Sequence, residues 1–196
     1  IYNKVKKVIG VSTDKCVTPS NLYGATKLAS DKLFVASNSS YASGHETQFA
    51  VVRYGNVMGS RGSVIPFFMS IRDSGVLPIT DNRMTRFMIS IKDAISLVFK
   101  AMDKSVGGEV FVKKSPSMRI VDLAKAINYR AKPKITGIRP GEKLHESLVS
   151  QEELLNTFEF KDFFVVAPIS QYNDWNIKKF IKKNNIKSKI KQPSKE

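Results

Sequence analysis

Lys7-Val8-Ile9-Gly10-Val11-Ser12-Thr13-Asp14-Lys15 and, eight residues after Lys15, Tyr23-Gly24-Ala25-Thr26-Lys27 form the stretch whose reading decides the fold. Up to Ser12 it is apolar and β-branched, the pattern of a buried strand of a parallel sheet. Pro19-Ser20-Asn21 leads into a helix predicted from the spacing of Leu28, Leu33, Phe34 and Val35. A strand tip therefore faces a helix start, and in open α/β sheets ligands bind in the crevice beyond the carboxyl ends of the strands. Tyr23 and Lys27 are four apart, so they share one helical face about one turn from each other. An ammonium so placed favours the phenolate of the tyrosine, and a phenolate can take a proton from a sugar hydroxyl. A lone Tyr-x-x-x-Lys is common on surface helices; the Ser-Thr-Asp-Lys tip upstream is what makes this one a candidate for catalysis.

Working outward, residues 49–54 read as a second buried strand ending in the Gly55-Asn56 turn. A helix is predicted over 64–73, a loop region over 75–86, and a helix over 91–102 with apolar residues at Ile91, Ala94, Ile95, Val98 and Phe99. Gly107-Gly108 turns the chain into a strand over 109–112. Helical spacing returns over 118–129, and a short strand over 134–138 delivers Arg139. There is no internal repeat. The alternation of strands and helices reads as α/β with a doubly wound parallel sheet; resemblance of its motifs to a known family implies the carboxyl-terminal part of a Rossmann-type sheet with a small α/β substrate lobe.

Composition narrows the function. With 32 Lys+Arg against 17 Asp+Glu the formal charge is +15, which raises nucleic acid as a partner. The distribution argues against it: 176–196 holds eight lysines and one acid, with no aromatic after Phe180 to stack on bases. That stretch reads as a solvated, partly helical basic tail. Part of the remaining charge suits a diphosphate substrate, for which Arg is the preferred fork. Cys16 is the one cysteine, excluding an internal disulfide and matching a cytoplasmic setting; it reads as an apolar filler behind the site. His45 and His145 lack metal-ligand spacing, so no metal is expected. No apolar run is long enough to span a bilayer, and no membrane partner is expected.

These motifs resemble the extended, nucleotide-sugar-modifying branch of the short-chain dehydrogenase/reductase superfamily, and within it the inverting UDP-N-acetylglucosamine 4,6-dehydratases of the pseudaminic acid pathway. The resemblance runs through Ser12-Thr13-Asp14-Lys15, Asn21-Leu22-Tyr23-Gly24-Ala25-Thr26-Lys27, Arg53-Tyr54-Gly55-Asn56-Val57 and Gly59-Ser60-Arg61-Gly62-Ser63. It continues through Pro78-Ile79-Thr80-Asp81, Met84-Thr85-Arg86-Phe87 and Gly137-Ile138-Arg139-Pro140-Gly141-Glu142-Lys143-Leu144-His145-Glu146. The chain departs from the family pattern at Met88, where Trp is expected, and at Lys113-Lys114, which is more basic than usual.

The resemblance implies NADP as cofactor, UDP-N-acetylglucosamine as substrate and a homo-oligomer when complete. Tyr23 takes the proton of the 4-hydroxyl as the hydride leaves, Lys27 holds the nicotinamide ribose, and Thr13 hydrogen-bonds the 4-oxygen. Asp14 protonates the departing 6-hydroxyl and Lys15 removes the proton at position 5. A lysine acts as base only where desolvation or nearby positive charge disfavours its charged form. Retaining relatives carry Glu at that place, so Lys15 implies the inverted, L-arabino 4-keto-6-deoxy product. Asn56 is implied at the sugar or its phosphate, Thr80 near the uracil, Arg86 and Arg139 at the diphosphate, and Glu142 at the uridine ribose. Tyr23, where membrane-anchored relatives carry Met, implies the type without membrane helices.

No Gly-x-Gly-x-x-Gly turn precedes the first strand; Gly55, Gly59 and Gly62 are spaced differently and follow the catalytic helix. The resemblance implies that about the first third of the usual protein lies outside this sequence. The expectation is a carboxyl-terminal fragment, inactive alone, with an unpaired sheet edge and an uncovered apolar face. Its segments are expected as a Rossmann part with catalytic motifs over 1–130, a substrate-lobe segment over 131–170 and the basic tail over 171–196. A retaining dehydratase, a nucleotide-sugar epimerase and a non-catalytic fragment are the alternatives.

Overall fold

The computed structural model describes residues 3–38, 46–168 and 175–186; His45 and the end of the basic tail lie outside the described residues. The first half of the chain forms β1 (Lys7–Thr13), α1 (Leu22–Ala36), β2 (Gln48–Tyr54), β3 (Asn56–Val57), α2 (Val64–Ser70), β4 (Val76–Ile79) and β5 (Thr85–Ile89). It continues with α3 (Ile91–Lys104), β6 (Val110–Lys113), β7 (Ser117–Arg119), α4 (Ile120–Ile127), β8 (Lys132–Ile135), α5 (Gln151–Leu154), β9 (Thr157–Glu159), β10 (Phe163–Val166) and α6 (Ile177–Lys183).

The main sheet has the order β1-β2-β6-β10-β9. β1, β2 and β6 are parallel, and β10 runs antiparallel to both β6 and β9. Alternation of side chains along each strand gives the sheet two apolar faces. Ala50, Val52, Phe111 and Val165 point one way, against Leu97 and Ala101 of α3. Val51, Val110, Val112 and Val166 point the other way, against Phe34 and Val35 of α1 and against Leu148 and Val149. Helices thus cover both faces, as the doubly wound reading requires. β1 forms one edge of this sheet, where Val11 is exposed, and Ile91, Ile95 and Phe99 of α3 are exposed as well. Among the described residues the edge at β1 agrees with the expected open edge, whereas the exposed apolar side chains stand on α3 and the sheet itself is covered on both faces.

A second, smaller core lies beyond the strand tips. It joins Phe68 of α2, Leu77 and Ile79 of β4, Met84, Met88 of β5 and Ile120 to Ala124 of α4. Two small sheets, β3-β5-β7 and β4-β8, carry it. The region over 75–86 expected as a loop is therefore partly strand. β4 alternates between exposed Val76 and buried Leu77 and Ile79, but its partner β8 arrives only at Lys132–Ile135, and Pro78 interrupts a local reading. The strand expected over 134–138 ends at Ile135, so Arg139 is delivered by the connection beyond it.

The segment 131–170, expected as substrate lobe, divides: β8 belongs to the small core, whereas β9 and β10 complete the main sheet. The basic tail also differs from a solvated end. Phe180 of α6 is fully buried, with its ring 5.8 Å from Phe160, 6.1 Å from Phe111 and 5.9 Å from Trp175. One aromatic among lysines is enough to dock a short helix, because ring burial outweighs the cost of ordering seven residues whose lysines remain hydrated.

Phe180→Ala should cost about 3–5 kcal/mol if α6 is part of the core. Urea denaturation measures this; a loss within about 0.5 kcal/mol, the range of surface substitutions, would make α6 an appendage.

Candidate active site

The tip of β1 is built by its own polar side chains. Thr13 Oγ1 accepts from the Lys15 amide at 3.4 Å and so caps the 3-10 turn Asp14–Cys16. Its hydroxyl donates to Asp14 Oδ1 at 2.9 Å, and Lys15 Nζ donates to the same oxygen at 3.0 Å. Asp14 is fully buried, and its Oδ2 has no hydrogen-bond partner within the described residues. A buried carboxylate with one satisfied and one open oxygen is an unusual economy in a fold; it leaves an acceptor ready for a ligand hydroxyl.

Asn21 starts α1, its Oδ1 accepting from the Gly24 amide at 2.9 Å. Gly24 is required by contact: a Cβ there would lie 2.3 Å from the Lys15 carbonyl oxygen and 2.9 Å from Pro19 Cβ. The helix thereby rests directly on the tip. Tyr23 presents an exposed phenol, and Lys27 Nζ, one turn on, donates to the Val11 carbonyl at 2.7 Å. Thr13, Asp14, Lys15, Tyr23 and Lys27 are thus placed around one strand end.

The residues expected to hold substrate fall into two groups. Asn56 follows Gly55, whose missing side chain lets the chain pass Phe87, where a Cβ would meet both Cβ and O at 2.5 Å. The Asn56 Oδ1 is buried without a partner within the described residues, a second open acceptor. Arg86 is nearly buried and directs its guanidinium at its own chain: Nη1 donates to the carbonyls of Thr85 and Leu144, and Nη2 to Lys143 O and Glu142 Oε1. Glu142 also accepts from the Arg139 amide at 3.4 Å. Arg86 and Glu142 therefore fasten the 139–146 segment to β5, while the Arg139 side chain is exposed and makes no ion pair within the described residues. Thr80 lies at the end of β4, beside the Asp81–Arg83 turn.

The same segment is tied to the catalytic tip. Ser20 Oγ and Asn21 Nδ2 each donate to Gly141 O at 2.8 Å, and Lys143 Nζ donates to Val17 O at 2.6 Å. Behind the tip, sequence reading gave no role to a buried charge cluster. Arg53 of β2 donates to Glu153 through Nη1 at 2.8 Å and Nη2 at 3.0 Å, and to Asp31 of α1 at 3.2 Å. Cys16 is buried as expected, yet its thiol donates to Asp31 Oδ2 at 3.2 Å, and burial pushes it up to about 11. The available signal was an arginine inside an apolar strand, with an acid four residues after Lys27. No group of His, Cys, Asp and Glu among the described residues could hold a metal ion, and no described helix is long and apolar enough to cross a membrane.

A sheet with β1, β2 and β6 parallel, wound by helices on both faces, with a polar tip facing the start of a Tyr-x-x-x-Lys helix, defines a domain of the short-chain dehydrogenase/reductase type. The chain belongs to the family described as polysaccharide biosynthesis protein, which matches residues 1–168. It is 51% identical over 181 residues to the UDP-N-acetylglucosamine 4,6-dehydratase (inverting) of Campylobacter jejuni subsp. jejuni serotype O:2, covering 89% of this chain and 54% of that protein. It is 45% identical over 169 residues to a protein named UDP-glucose 4-epimerase from Rickettsia rickettsii, covering 84% of this chain and 49% of the other. The X-ray structure of Pen from Bacillus thuringiensis superposes with a TM-score of 0.81 at 39% identity, over 86% of this chain and 55% of that one. The chain spans about half the length of these relatives.

Burial alone would raise the Glu153 carboxyl, but the hydrogen bonds and charge of Arg53 reverse this and hold it below the usual glutamate value of 4.5. A depressed carboxyl contributes stability above its unfolded value and loses it as the pH falls through its folded value. Urea denaturation across the acid range should therefore show a decline below about pH 4.5 that is shallower in Glu153→Gln.

Proposed function

We propose that the complete protein carrying this chain dehydrates UDP-N-acetylglucosamine in an NADP-dependent reaction that inverts position 5, giving a UDP-4-keto-6-deoxy-L-arabino-hexosamine for pseudaminic acid or other surface glycans. The observation that carries this reading is the Asp14–Lys15 pair, 3.0 Å apart at the strand tip and one helix start from Tyr23.

Water loss across positions 5 and 6 needs a base at carbon 5 and an acid at oxygen 6, and it needs the carbon-5 proton acidified by a ketone at carbon 4. A nicotinamide dinucleotide, when bound, takes up the hydride from carbon 4 and returns it to carbon 6. The exposed Tyr23 phenol and the ammonium of Lys27 at the end of β1 fit the nicotinamide half of such a cofactor. Tyr23 accepts the 4-hydroxyl proton and Thr13 orients the oxygen. Asp14 and Lys15 as an ion pair are one proton transfer from a neutral carboxylic acid and a neutral amine. In that form Asp14 protonates the departing 6-hydroxyl, which leaves as water, and Lys15 receives the carbon-5 proton. The two groups then stand again as an ion pair; the enolate left when hydride reaches carbon 6 would take a proton at carbon 5 from solvent on the opposite face, which inverts that centre, and Tyr23 would release its proton to solvent, so that the site is reset.

Asn56, with its open carboxamide oxygen, is the candidate for contact with the sugar or phosphate, and exposed Arg139 for the diphosphate. Arg86 and Glu142 serve recognition by shaping the 139–146 segment. Thr80 remains the candidate nearest the uracil. No role for nucleic acid enters this reading, and the complete enzyme works as a homo-oligomer in the cytoplasm. The relatives named as epimerases favour one second reading, in which the 4-ketone is reduced from the other face and no water is lost.

Lys15→Ala in the complete protein should still reduce bound NADP transiently on mixing with substrate, yet stop water loss. In heavy water the unmutated enzyme should place deuterium at position 5 in the inverted configuration, read from proton couplings of fresh product. A D-xylo product would return the enzyme to the retaining class, and a 4-epimer with an intact 6-hydroxyl would establish the epimerase reading. Tyr23→Phe should lower turnover by at least about 100-fold while leaving UDP-sugar binding nearly unchanged.

A further inference from the structure

We propose that Asp31 is a positioning residue for the Tyr23–Lys27 pair, setting the rotation and depth of α1 through its buried contacts with Arg53 and Cys16. The proposal rests on the dehydratase reading for its kinetic arm and on geometry alone for its structural arm.

α1 has little apolar hold on the sheet. Of its fifteen residues only Gly24 and Asp31 are buried, while Leu22 and Leu33 stand exposed, and the grip of Phe34 and Val35 comes near its far end. Gly24 fixes the distance of the first turn from the tip by backbone contact with Lys15 O, and Asn21 and Lys27 add hydrogen bonds from side chains at its surface. Asp31 is the one of these polar holds that is buried. It lies one turn beyond Lys27 and two beyond Tyr23 on the same face, so any roll of α1 that moves the phenol also moves this carboxylate.

Both of its anchors belong to elements that define the site. Cys16 closes the turn that carries Asp14 and Lys15, and its Sγ lies 3.2 Å from Asp31 Oδ2. Arg53 is paired in register with Ser12 at the end of β1, and its Nη2 lies 3.2 Å from the same oxygen. The Asp31 carboxylate therefore refers α1 to the β1 tip through one contact and to β2 through the other. Removing one partner of a buried pair leaves the other charge uncompensated. Here Arg53 keeps Glu153 at two nitrogens and Leu148 O at 3.0 Å, so it would hold its place without Asp31, and α1 alone would be released.

Glu153 supplies the control, because it pairs with the same guanidinium from α5 and makes no hydrogen bond or ion pair with α1 within the described residues, its link to that helix being the longer-range charge of Lys32. It also closes the capping box of α5 with Ser150, so its loss costs stability without loosening the Tyr-Lys helix.

The test compares Asp31→Ala and Glu153→Ala in the complete protein. Alanine favours helix at position 31, so a change there does not come from helix propensity. Asp31→Ala should lower the rate of the first hydride transfer, read by nicotinamide absorbance in a single turnover, by about 10- to 100-fold, the effect of a misplacement near 1 Å. The Michaelis constant for the UDP-sugar should stay within about twofold, since its binding segments are untouched. Glu153→Ala should keep the hydride-transfer rate within about threefold despite an equal or larger fall in midpoint of denaturation. Asp31→Asn, which retains an acceptor for Arg53 and Cys16, should recover part of the rate. Amide exchange over residues 22–36 should quicken in Asp31→Ala and not in Glu153→Ala.

Equal losses of rate in the two alanine variants would make the cluster a general stabiliser and overturn the proposal, as would unchanged exchange in α1. An unmutated enzyme that leaves UDP-N-acetylglucosamine intact would instead sink the dehydratase reading, with the exchange comparison still deciding the role of Asp31. If Asp31→Ala does not fold, Arg53→Lys takes its place: it keeps the charge but cannot fork to both carboxylates, and a normal hydride-transfer rate in it would overturn the proposal.

Discussion

The absence of a side chain at Gly24 is the constraint on which the rest of the site depends. With a Cβ 2.3 Å from the Lys15 carbonyl, α1 would have to lift away from the strand tip, and overpacking against backbone cannot be relieved by a rotamer change. The close approach brings Tyr23 and Lys27 to the end of β1. It also places Asn21 where one side chain does two things: Oδ1 caps the helix through the Gly24 amide, and Nδ2 holds Gly141 O of the substrate-side segment. The catalytic helix and the small lobe are thus oriented by the same carboxamide, which accepts in one direction and donates in the other.

Fixing Asn21 to Gly141 has a consequence for the small lobe. Gly141 has a φ of 74°, and a Cβ there would approach Asn21 Cβ at 3.0 Å, so both conformation and contact call for glycine. From this point Arg86 fastens the following residues to β5 through the carbonyls of Lys143 and Leu144, and Lys143 returns to Val17 O beside the tip. The 139–146 segment is therefore a bridge with one end on each unit.

What was legible in the sequence follows from where each signal resides. β1, β2, α1 and α3 carry periodicity over a dozen residues or a run of β-branched side chains, and these came through because local pattern and burial agree. β9 and β10 did not: three- and four-residue strands exist here by pairing with β6 and with each other, and partner choice is not written in such short windows. β4 failed for the same reason, its partner lying some fifty residues on. That Thr13, Asp14, Lys15, Tyr23 and Lys27 lie around the end of β1 was legible because their spacing is local; their roles remain part of the proposal. Arg86 was legible as important but not in its action, since a guanidinium's partners are decided by which carbonyls the fold brings near it. Phe180 was read with the lysines around it, although one ring outweighed them.

Charge at the tip shows how the fold can hold many ions without holding a free one. Arg53 is matched by Asp31 and Glu153, Lys15 by Asp14, Lys143 by Glu146, and Arg86 by Glu142. Buried ions without partners would be costly, so each cation near the centre is already engaged, and the chain's excess of positive charge lies elsewhere. Such pairing has a cost for recognition, because a cation already bound within the fold offers a diphosphate less than a free one does. Arg139, exposed at the turn that leads into Gly141, makes no such ion pair within the described residues. It lies two residues from Gly141, whose carbonyl Asn21 Nδ2 holds while Asn21 Oδ1 caps the helix that carries Tyr23.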